Sequence, residues 1–549
     1  MTTRPTTTPQ ATPQESPVPT VREAVFDFCR RTGMTTVFGN PGSTELRMLR
    51  DFPGDFAYVQ ALQETVAVAA AAGYSLGTDR AALVSLHSAG GVGHSLGAVF
   101  NAFRDRVPVV VIAGQQSRTM LPARPFLAAD EPSLFPRPYV KWSRQPDRAA
   151  DVPAALAEAH RVAMTPPRGP VFLSVPEDDW DRPAEPVPPR TVLAGFGAAP
   201  GALGEVAAAL NDAANPVIVV GSGVDDEGAM PQVVSLAERL AAPVWISPLS
   251  GRSGFPEDHA LFRGFLPPVR DQLAGRLDGH DVVLVLGAPV FTYHVDGEGP
   301  YLPDGARLFH FDCDPAQVAW APVGTSVLTT IRAGVSGLLD LVEKADRPAP
   351  EPRAALAAPA AADPPDAGFV IEALRERLPA GTVIVEECPS HREVFHARLP
   401  ITRSGGFLTT GSGALGWGLP LAVGRALAAA GAGAGERIVC VIGDGSIMYS
   451  VQALWTAAQQ RVPLTVVVLN NRGYEAVKAL GRRIGMETVP GTDIPGLDLV
   501  ALARGLGCGG RTVTAAAGLG SALTEALAHE GPFLLDVPVA PGDAPAYES

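Results

Sequence analysis

The stretch CVIGDGSIMYS, residues 440 to 450, places an acid where an apolar strand ends. Asp444 stands between two glycines, directly after the apolar run 438–442, and a helical pattern begins beyond it. In parallel sheets ligands gather at the carboxyl ends of strands, where the next helix offers free N–H groups to an anion such as phosphate. Asp444 alone would repel a phosphate, whereas a hard divalent cation between the two removes the conflict. The stretch therefore predicts a phosphate site bridged by a cation.

A second stretch could supply the other ligands of that cation. The next apolar strand, LTVVVLNN, ends in Asn471 and is followed closely by Gly473. The Asn471 amide oxygen and the Gly473 backbone carbonyl could join Asp444, with diphosphate and water completing the octahedron that Mg²⁺ prefers. A GDG alone is typical of a glycine-lined turn with a solvated Asp. The two stretches together are more specific.

Other polar residues at strand ends or helix starts could handle protons or a substrate. Glu64 precedes a helical run of small apolar residues, Ser43 lies in FGNPGSTEL, His87 ends the strand of LVSLHSAGGVG, and His294 follows the strand of LGAPVFTYHVDGEG. Each has an ordinary alternative, because an acid favours a helix N-terminus and a lone histidine is more often a structural residue. The joint occurrence of Ser43, His87 and His294 at strand ends favours a shared site.

Nucleotide-binding motifs of the usual kinds are missing from the sequence. No GxxxxGK stretch occurs, and VVGSGVDDEG departs from GxGxxG because Asp226 stands where the third glycine belongs. This pattern disfavours a nicotinamide enzyme.

The elements that must position these residues form three blocks in which short apolar runs alternate with helical patterns. Such alternation predicts the α/β class with parallel sheets flanked by helices. We expect domains at 20–180, 191–344 and 369–545, a Pro/Ala linker at 345–368 and a disordered Thr/Pro tail at 1–19. The predicted strands are TTVFGN, AALVSLHS, PVVVIAG and PVFLSVP in the first block; NPVIVVGSG, APVWISP, DVVLVLGAP and ARLFHFDCD in the second; and TVIVEE, IVCVIGDGS, LTVVVLNN and FLLDVPV in the third.

Composition limits the partners and the compartment. The chain has 549 residues, a net charge of −14 and a pI near 5.2, and its basic residues are scattered, which argues against nucleic-acid or anionic-membrane partners. No stretch reaches eighteen uninterrupted apolar residues, and the N-terminus lacks the apolar core of a signal peptide. Five dispersed cysteines without a CxxC pair indicate a reducing cytoplasm.

The GDG and NN stretches at this spacing resemble the cofactor motif of thiamine diphosphate (ThDP) enzymes, which bind ThDP through Mg²⁺. GNPGS, LHSAGG and the Tyr-His pair of the second block are more specific. Together they resemble the ThDP-dependent 2-keto acid decarboxylases of the benzoylformate decarboxylase family, from about residue 20 to the C-terminus. The resemblance implies that the three domains are the aminopyrimidine-binding, middle and diphosphate-binding domains, known as PYR, middle and PP.

The resemblance also implies roles for individual residues. Glu64 would activate the cofactor through its aminopyrimidine, and Ser43 would bind the substrate carboxylate or carbonyl. His87 would serve in addition and aldehyde release, and His294 would deliver the proton that replaces CO₂. The cation would be Mg²⁺, with Ca²⁺ possible in its place, on Asp444, Asn471 and Gly473. Besides Glu64, the implied cofactor contacts are Gly411, Gly413, Leu415, Gly443, Asp444, Gly445, Ser446, Asn471, Gly473 and Tyr474, with Leu415 supporting a bent ThDP, and the implied substrate pocket is Phe126, Leu127, Thr409, Ala476 and Leu480.

The sequence departs from the family near the pocket. Pro389 replaces a hydroxyl residue, Thr409 and Thr410 replace a more apolar pair, and Glu475 stands where a glycine is expected. We still expect an aromatic or bulky 2-oxo acid, decarboxylated to an aldehyde and CO₂. The alternatives are a ThDP-dependent carboligase or lyase of the acetolactate synthase type, and a non-catalytic nucleotide-binding protein. By analogy with the family we expect a homo-oligomer, a dimer at least and by extension a tetramer, because the cofactor lies between two subunits.

Overall fold

A computed structural model describes residues 18–354, 356–433 and 435–541. The tail predicted at 1–19 therefore lies outside the described residues except for Val18 and Pro19. No helix in the described ranges is long and apolar enough to cross a membrane.

The first sheet has six parallel strands in the order β2-β1-β3-β4-β6-β5. Its strands are β1 Thr36–Gly39, β2 Ala57–Gln60, β3 Ala82–Leu86, β4 Val109–Gln115, β5 Trp142–Arg144 and β6 Val171–Pro176. The helices of this part are α1 Val21–Thr32, α2 Leu46–Leu49, α3 Glu64–Thr78, α4 Ser88–Arg104 and α5 Val152–Met164.

The second sheet also has six parallel strands, in the order β12-β11-β10-β7-β8-β9. Its strands are β7 Pro216–Val220, β8 Val244–Ile246, β9 Phe262–Phe265, β10 Val282–Leu286, β11 Arg307–Asp312 and β12 Thr325–Leu328. The helices are α6 Pro200–Asp212, α7 Ser222–Asp226, α8 Met230–Leu240, α9 Arg270–Arg276, α10 Pro315–Trp320 and α11 Ile331–Leu339.

The third sheet repeats this plan in the order β14-β13-β15-β16-β18-β17. Its strands are β13 Val383–Glu387, β14 Phe407–Leu408, β15 Ile438–Gly443, β16 Leu464–Asn470, β17 Gly509–Thr512 and β18 Phe533–Pro538. The helices are α12 Ala367–Arg375, α13 Arg392–Arg398, α14 Gly418–Ala432, α15 Asp444–Ile447, α16 Ala453–Gln460, α17 Glu475–Arg483, α18 Leu499–Gly505 and α19 Ala516–Ala528.

The predicted fold class is confirmed, since all strand pairs of the three sheets are parallel and helices flank the sheets. Every strand predicted from the sequence is present. Each sheet has two further strands at its edges: β2 and β5, β9 and β12, β14 and β17. The described residues between α11 and α12 contain no helix or strand. The predicted domain boundaries themselves remain a proposal.

Helices α3 and α14 join the first and third sheets through glycines. A Cβ on Gly73 would stand 2.0 Å from the Leu421 carbonyl oxygen, and one on Gly424 would stand 1.8 Å from the Ala70 carbonyl oxygen. Any side chain at either glycine would overlap backbone of the other helix, so small residues are required here. One hydrophobic core accordingly includes residues of both domains. This packing fixes α3, and with it Glu64 at the N-terminal end of the helix.

Candidate active site in two halves

The N-terminal half-site, defined as Ser43, Glu64 and His87, lies at the carboxyl ends of β1, β2 and β3. Ser43 opens a short 3₁₀ helix after β1, Glu64 is the first residue of α3, and His87 is the cap residue before α4. Carboxyl ends of neighbouring parallel strands share one edge of the sheet. The structure therefore brings these predicted residues to one place, with Ser43 exposed to solvent.

Glu64 is buried, and both oxygens of its carboxylate have partners. Asn40 Nδ2 donates to Oε1 at 3.3 Å, and Oε2 lies 3.2 Å from Nδ1 of the exposed His94. The backbone of Gly91 in α4 packs beside the Glu64 side chain. The acid is thus held in a fixed orientation at the start of its helix.

His87 is held by a carboxylate that the sequence interpretation did not select. Its Nδ1 lies 3.0 Å from Glu45 Oε2 and 3.1 Å from Thr44 Oγ1. Thr44 donates its hydroxyl proton to Glu45 Oε1 at 2.5 Å, and Gly42 donates its N–H to Oε2 at 2.8 Å. Because a carboxylate only accepts, Nδ1 carries the proton and Nε2 of a neutral ring is the acceptor. Glu45 lies in the GNPGSTEL stretch, so an acid in that turn was the available signal.

The C-terminal half-site is a cavity of about 80 Å³ around Asp444. Asp444 begins α15 directly after β15, and Asn471 follows β16, which pairs with β15 up to Gly443 and Leu469. The cavity is lined by most of the predicted cofactor contacts: Leu415, Gly443, Asp444, Gly445, Ser446, Asn471, Gly473 and Tyr474. Cys388, Pro389, Ser390, His391, Leu469, Ala476 and Val477 complete its wall.

Two predicted cofactor contacts lie in the loop before Leu415 and outside the cavity wall. Gly411 donates its N–H to Asp105 Oδ1 at 2.9 Å, and Gly413 is exposed with φ of 79°. Gly411 and Gly413 thus contribute to the position and conformation of the loop before Leu415.

His294 and the predicted pocket residues divide between the two half-sites. His294 is exposed in the loop after β10, and the next residue, Val295, packs against α17 beside Ala476 and Leu480. Phe126 and Leu127 lie near the other half-site, since Ser88, the residue after His87, donates its hydroxyl to the Leu127 carbonyl oxygen. Phe126 is 84% exposed.

Thr409 is not brought to the Asp444 cavity. It is buried, and its hydroxyl donates to Glu386 Oε2 and accepts from Arg392 Nη2, both at 2.8 Å. Its place in the substrate pocket remains a prediction that this geometry does not support.

Glu475, the acid at a glycine position, is buried and paired. Lys478 Nζ donates to Glu475 Oε1 at 2.7 Å and also lies 2.8 Å from Asp493. The Glu475 carboxylate at the pocket border is therefore paired with a lysine of the same helix, α17.

The two half-sites of one chain lie apart. In helix α4, Gly91 packs beside the Glu64 side chain. Ten residues further along the same helix, Asn101 donates to the carbonyl oxygen of Ala414, just before Leu415, at 3.0 Å. At 1.5 Å of rise per residue, these points are separated by about 15 Å along the helix axis. Glu64 and the loop before Leu415 in one chain thus pack against α4 at points about 15 Å apart.

A larger cavity of about 360 Å³ lies between the first and second sheets. Three arginines in its wall are paired within the chain: Arg106 with Asp312 at 2.9 Å, Arg168 with Asp79 at 2.5 Å and Arg252 with Asp226 at 3.3 Å. Arg104 and Lys141 also line this wall, and Lys141 Nζ donates to the carbonyl oxygens of Val162 and Thr165.

Three family models match the chain in sequence. They are the thiamine pyrophosphate enzyme N-terminal TPP binding domain over residues 19–131, the central domain over 203–338 and the C-terminal TPP binding domain over 390–537. The chain belongs to the thiamine pyrophosphate enzymes. Thiamine diphosphate is thus the cofactor of its family, and two of the matched domains are those that bind it.

Similar proteins place the chain near one branch of the family. It is 42% identical to benzoylformate decarboxylase of Pseudomonas aeruginosa, over 94% of this chain and 98% of that one. Benzoylformate decarboxylase of Polynucleobacter necessarius superposes with a TM-score of 0.94 at 38% identity, covering 95% and 99% of the two chains. The 4-hydroxybenzoylformate decarboxylase of Rhodococcus jostii gives 0.90 at 38% identity with the same coverage.

The residues around Asp444 fit a diphosphate held through a divalent cation. Asp444 is 2% exposed, its Oδ2 has no hydrogen-bond partner among the described residues, and burial raises its pKa to about 6. A cation would satisfy this oxygen and keep the carboxylate ionised. Nowhere in the described ranges do three or more His, Cys, Asp or Glu residues form a metal-binding group. A single carboxylate with amide and carbonyl oxygens suits Mg²⁺, which retains water and phosphate ligands.

The two asparagines at the end of β16, Asn470 within the strand and Asn471 after it, differ in their partners. Asn470 donates to Asp536 at 2.9 Å, whereas Asn471 lines the cavity with its Nδ2 3.5 Å from His391 Nε2. His391 is buried, and burial lowers its pKa to about 4. The sequence interpretation did not select His391, because its contact with Asn471 depends on how β13 and β16 are placed.

Proposed function

We propose that this thiamine pyrophosphate enzyme decarboxylates an aromatic 2-oxo acid to an aldehyde and CO₂. The observation that carries the proposal is the pairing, at one sheet edge, of a fixed Glu64 with a His87 whose Nδ1 is occupied by Glu45. The relatives named above support the substrate class. When bound, ThDP supplies a nucleophilic carbon and a sink for the electrons that the departing CO₂ leaves behind.

Each polar residue of the N-terminal half-site has a distinct proposed task. The Glu64 carboxyl shares a proton with the aminopyrimidine ring through a hydrogen bond. Nε2 of His87 takes and returns a proton during substrate addition and aldehyde release, because Glu45 fixes the ring and its tautomer. The exposed Ser43 hydroxyl binds the substrate carboxylate. His294, beside the C-terminal half-site, delivers the proton that replaces CO₂.

The C-terminal half-site holds the cofactor in this proposal. Asp444 Oδ2, the Asn471 amide oxygen and the Gly473 carbonyl bind Mg²⁺, or Ca²⁺ in its place, and Leu415 supports the cofactor rings. Gly443, Gly445, Ser446 and Tyr474 line the diphosphate cavity. Phe126, Leu127, Ala476 and Leu480 supply apolar contacts for an aromatic substrate.

A complete site requires two copies of the chain. The separation of about 15 Å between the Glu64 and Leu415 contacts along α4 supports this, because one cofactor must touch both residues. Leu46 and Leu62, which are 63% and 43% exposed beside the N-terminal half-site, would gain cover from a partner. We therefore propose a homodimer at least, and a tetramer by analogy. The five cysteines are free and buried, which supports a cytoplasmic location.

The test is an assay of the purified protein with ThDP and Mg²⁺. CO₂ and aldehyde are measured with benzoylformate, 4-hydroxybenzoylformate, phenylpyruvate, a branched 2-oxo acid and pyruvate. We expect release from one of the two arylglyoxylates at least tenfold faster than from pyruvate. If neither CO₂ nor aldehyde were released from any of these substrates, the proposed decarboxylase function would be refuted.

A ThDP-dependent carboligase is the second candidate function. The large subunit of acetolactate synthase isozyme 2 of Escherichia coli, for example, is 26% identical over 93% of this chain and 94% of that one. Two histidines that deliver protons favour aldehyde release over ligation. A 2-hydroxyketone as the dominant product would decide for the carboligase.

A further inference from the structure

The loop from Thr410 to Gly416 has no regular secondary structure, yet side chains accept five of its seven N–H groups. Thr410 Oγ1 accepts from the N–H groups of Ser412 and Gly413 at 3.1 and 3.2 Å, and Ser412 Oγ accepts from that of Ala414 at 3.1 Å. Outside the loop, Asp105 accepts from Gly411, and Glu387 accepts from Gly416 at 2.6 Å. The loop conformation is therefore set by side chains.

Asn101 of α4 is the centre of this network. It is 2% exposed. Its Oδ1 accepts from the hydroxyls of Thr410, at 3.0 Å, and Ser412, and its Nδ2 donates to the Ala414 carbonyl oxygen at 3.0 Å. Two hydroxyl donors require an oxygen at one end of the amide, and a carbonyl acceptor requires the nitrogen at the other, so its orientation is determined. One buried side chain thus binds three residues of the loop.

Leu415 follows directly after the last of these contacts. It lines the cavity with Asp444, and the backbone on its other side is bound by Glu387 through Gly416 and Gly418. Removing Asn101 would take away three of the bonds that hold the loop 410–414 and leave the Ala414 carbonyl without its buried donor, while the bond from Gly411 to Asp105 and the contact between the Thr410 and Ser412 hydroxyls would remain.

We propose that Asn101 is a positioning residue for the cofactor, acting through the loop 410–414 to hold Leu415 in place. The proposal rests on the assignment of Leu415 to the ThDP site. Asn101 itself touches neither the cavity around Asp444 nor the N-terminal half-site. Its effect should consequently appear as cofactor affinity.

The experiment is calorimetric titration of ThDP into apoenzyme at saturating Mg²⁺, without any 2-oxo acid. We expect Asn101→Leu to raise the Kd for ThDP at least tenfold, with the apoenzyme retaining the wild-type circular dichroism spectrum. In a protein active on a 2-oxo acid, the KM for ThDP rises similarly, and saturating ThDP restores kcat to within about threefold of wild type. The control is Ser95→Ala on the same helix. This buried hydroxyl donates to Val92 within α4, and its loss should leave the Kd within twofold.

A second variant keeps the proposal testable if Asn101→Leu does not fold. Thr410→Val removes one donor to Asn101 and should raise the Kd several-fold. The product of the two fold-increases in Kd measured for Thr410→Val and Asn101→Leu should exceed the fold-increase in the double variant, because both residues act on one network. A Kd within twofold of wild type in a folded Asn101→Leu, or in Thr410→Val when Asn101→Leu does not fold, overturns the proposal, as does an equal rise in Ser95→Ala. Because binding is measured without substrate, failure of the decarboxylase assay leaves this result unaffected.

Discussion

The N-terminal and C-terminal half-sites lie at the ends of similar parallel sheets but differ in how their carboxylates are satisfied. In the N-terminal half-site both oxygens of Glu64 and both of Glu45 have partners within 3.3 Å. In the C-terminal half-site Asp444 Oδ2 is buried with no partner among the described residues. The carboxylates of the half-site to which we assign proton transfer are thus held by the chain itself, whereas we expect Asp444, assigned to the cofactor, to be satisfied by an added cation.

Glu64→Gln tests the N-terminal half most strongly. The amide keeps the shape of the side chain but cannot exchange a proton with the aminopyrimidine, so we expect kcat to fall roughly 10²- to 10⁴-fold. The Kd for ThDP should change less than tenfold, since the cation site is untouched. Steady-state kinetics and calorimetry measure the two quantities. A variant with near wild-type turnover would show that Glu64 does not activate the cofactor.

Asp444→Asn tests the C-terminal half. The substitution removes the charge that attracts the cation while keeping the size of the side chain, so we expect the Kd for ThDP in the presence of Mg²⁺ to rise about 100-fold. Calorimetry with Mg²⁺ and with Ca²⁺ checks this. If ThDP binding without any divalent cation matched that of the wild type with Mg²⁺, the cation site would be wrong.

Glu45→Gln tests whether the carboxylate behind His87 is needed. An amide can donate to Nδ1 and so favour the tautomer with the proton on Nε2, which is the wrong one for accepting a proton. We expect kcat/KM to fall about tenfold to 100-fold at constant ThDP affinity. His87→Ala should be no further impaired by Glu45→Gln, because the two residues act as a unit. If Glu45→Gln lowered kcat/KM in the His87→Ala background as much as in the wild type, Glu45 would act elsewhere.

The sequence predicted the centre of each sheet and missed the edges for a physical reason. Central strands such as β10 are buried on both faces and read as unbroken apolar runs. Edge strands are partly exposed and carry breaking residues, as in Gly509–Thr512, which contains two glycines, and in Ala57–Gln60, which is largely accessible. Such short, mixed sequences resemble loops.

The site was predictable where chemistry lies at strand ends and unpredictable where it depends on tertiary contacts. Asp444, Asn471 and His87 follow apolar runs, so their positions could be anticipated. The contacts of Asn101 with residues 410 to 414 join parts of the chain more than 300 positions apart, and nothing in either segment alone indicates them. The proximity of His391 to Asn471 is unpredictable for the same reason.

Asp105, like Asp444, has a buried carboxylate oxygen for which the described residues provide no hydrogen-bond partner. Its Oδ1 accepts from the N–H of Gly411, and its Oδ2 has no partner among the described residues. Burial raises the pKa of Asp105 to about 7, although the nearby Arg252, Arg104 and Arg392 partly oppose this rise. Since the unfolded carboxyl ionises near 3.8, the folded protein binds the extra proton between these values. The stability that the protonated acid contributes is complete below about pH 4 and is lost as the pH rises to about 7.

Asp105→Asn should keep the hydrogen bond from Gly411 and remove the loss of folding stability that occurs as the pH rises towards 7. We expect the variant apoenzyme to be more stable than wild type at pH 8 by about 1–3 kcal/mol, and the difference to shrink as the pH falls towards 4. Urea unfolding at several pH values measures it. The Kd for ThDP should stay within threefold of wild type, unlike in Asp444→Asn, because Asp105 faces Arg252 rather than the cofactor cavity. A large loss of cofactor affinity in Asp105→Asn would show that an unpartnered oxygen behind the loop matters as much as one inside the cavity.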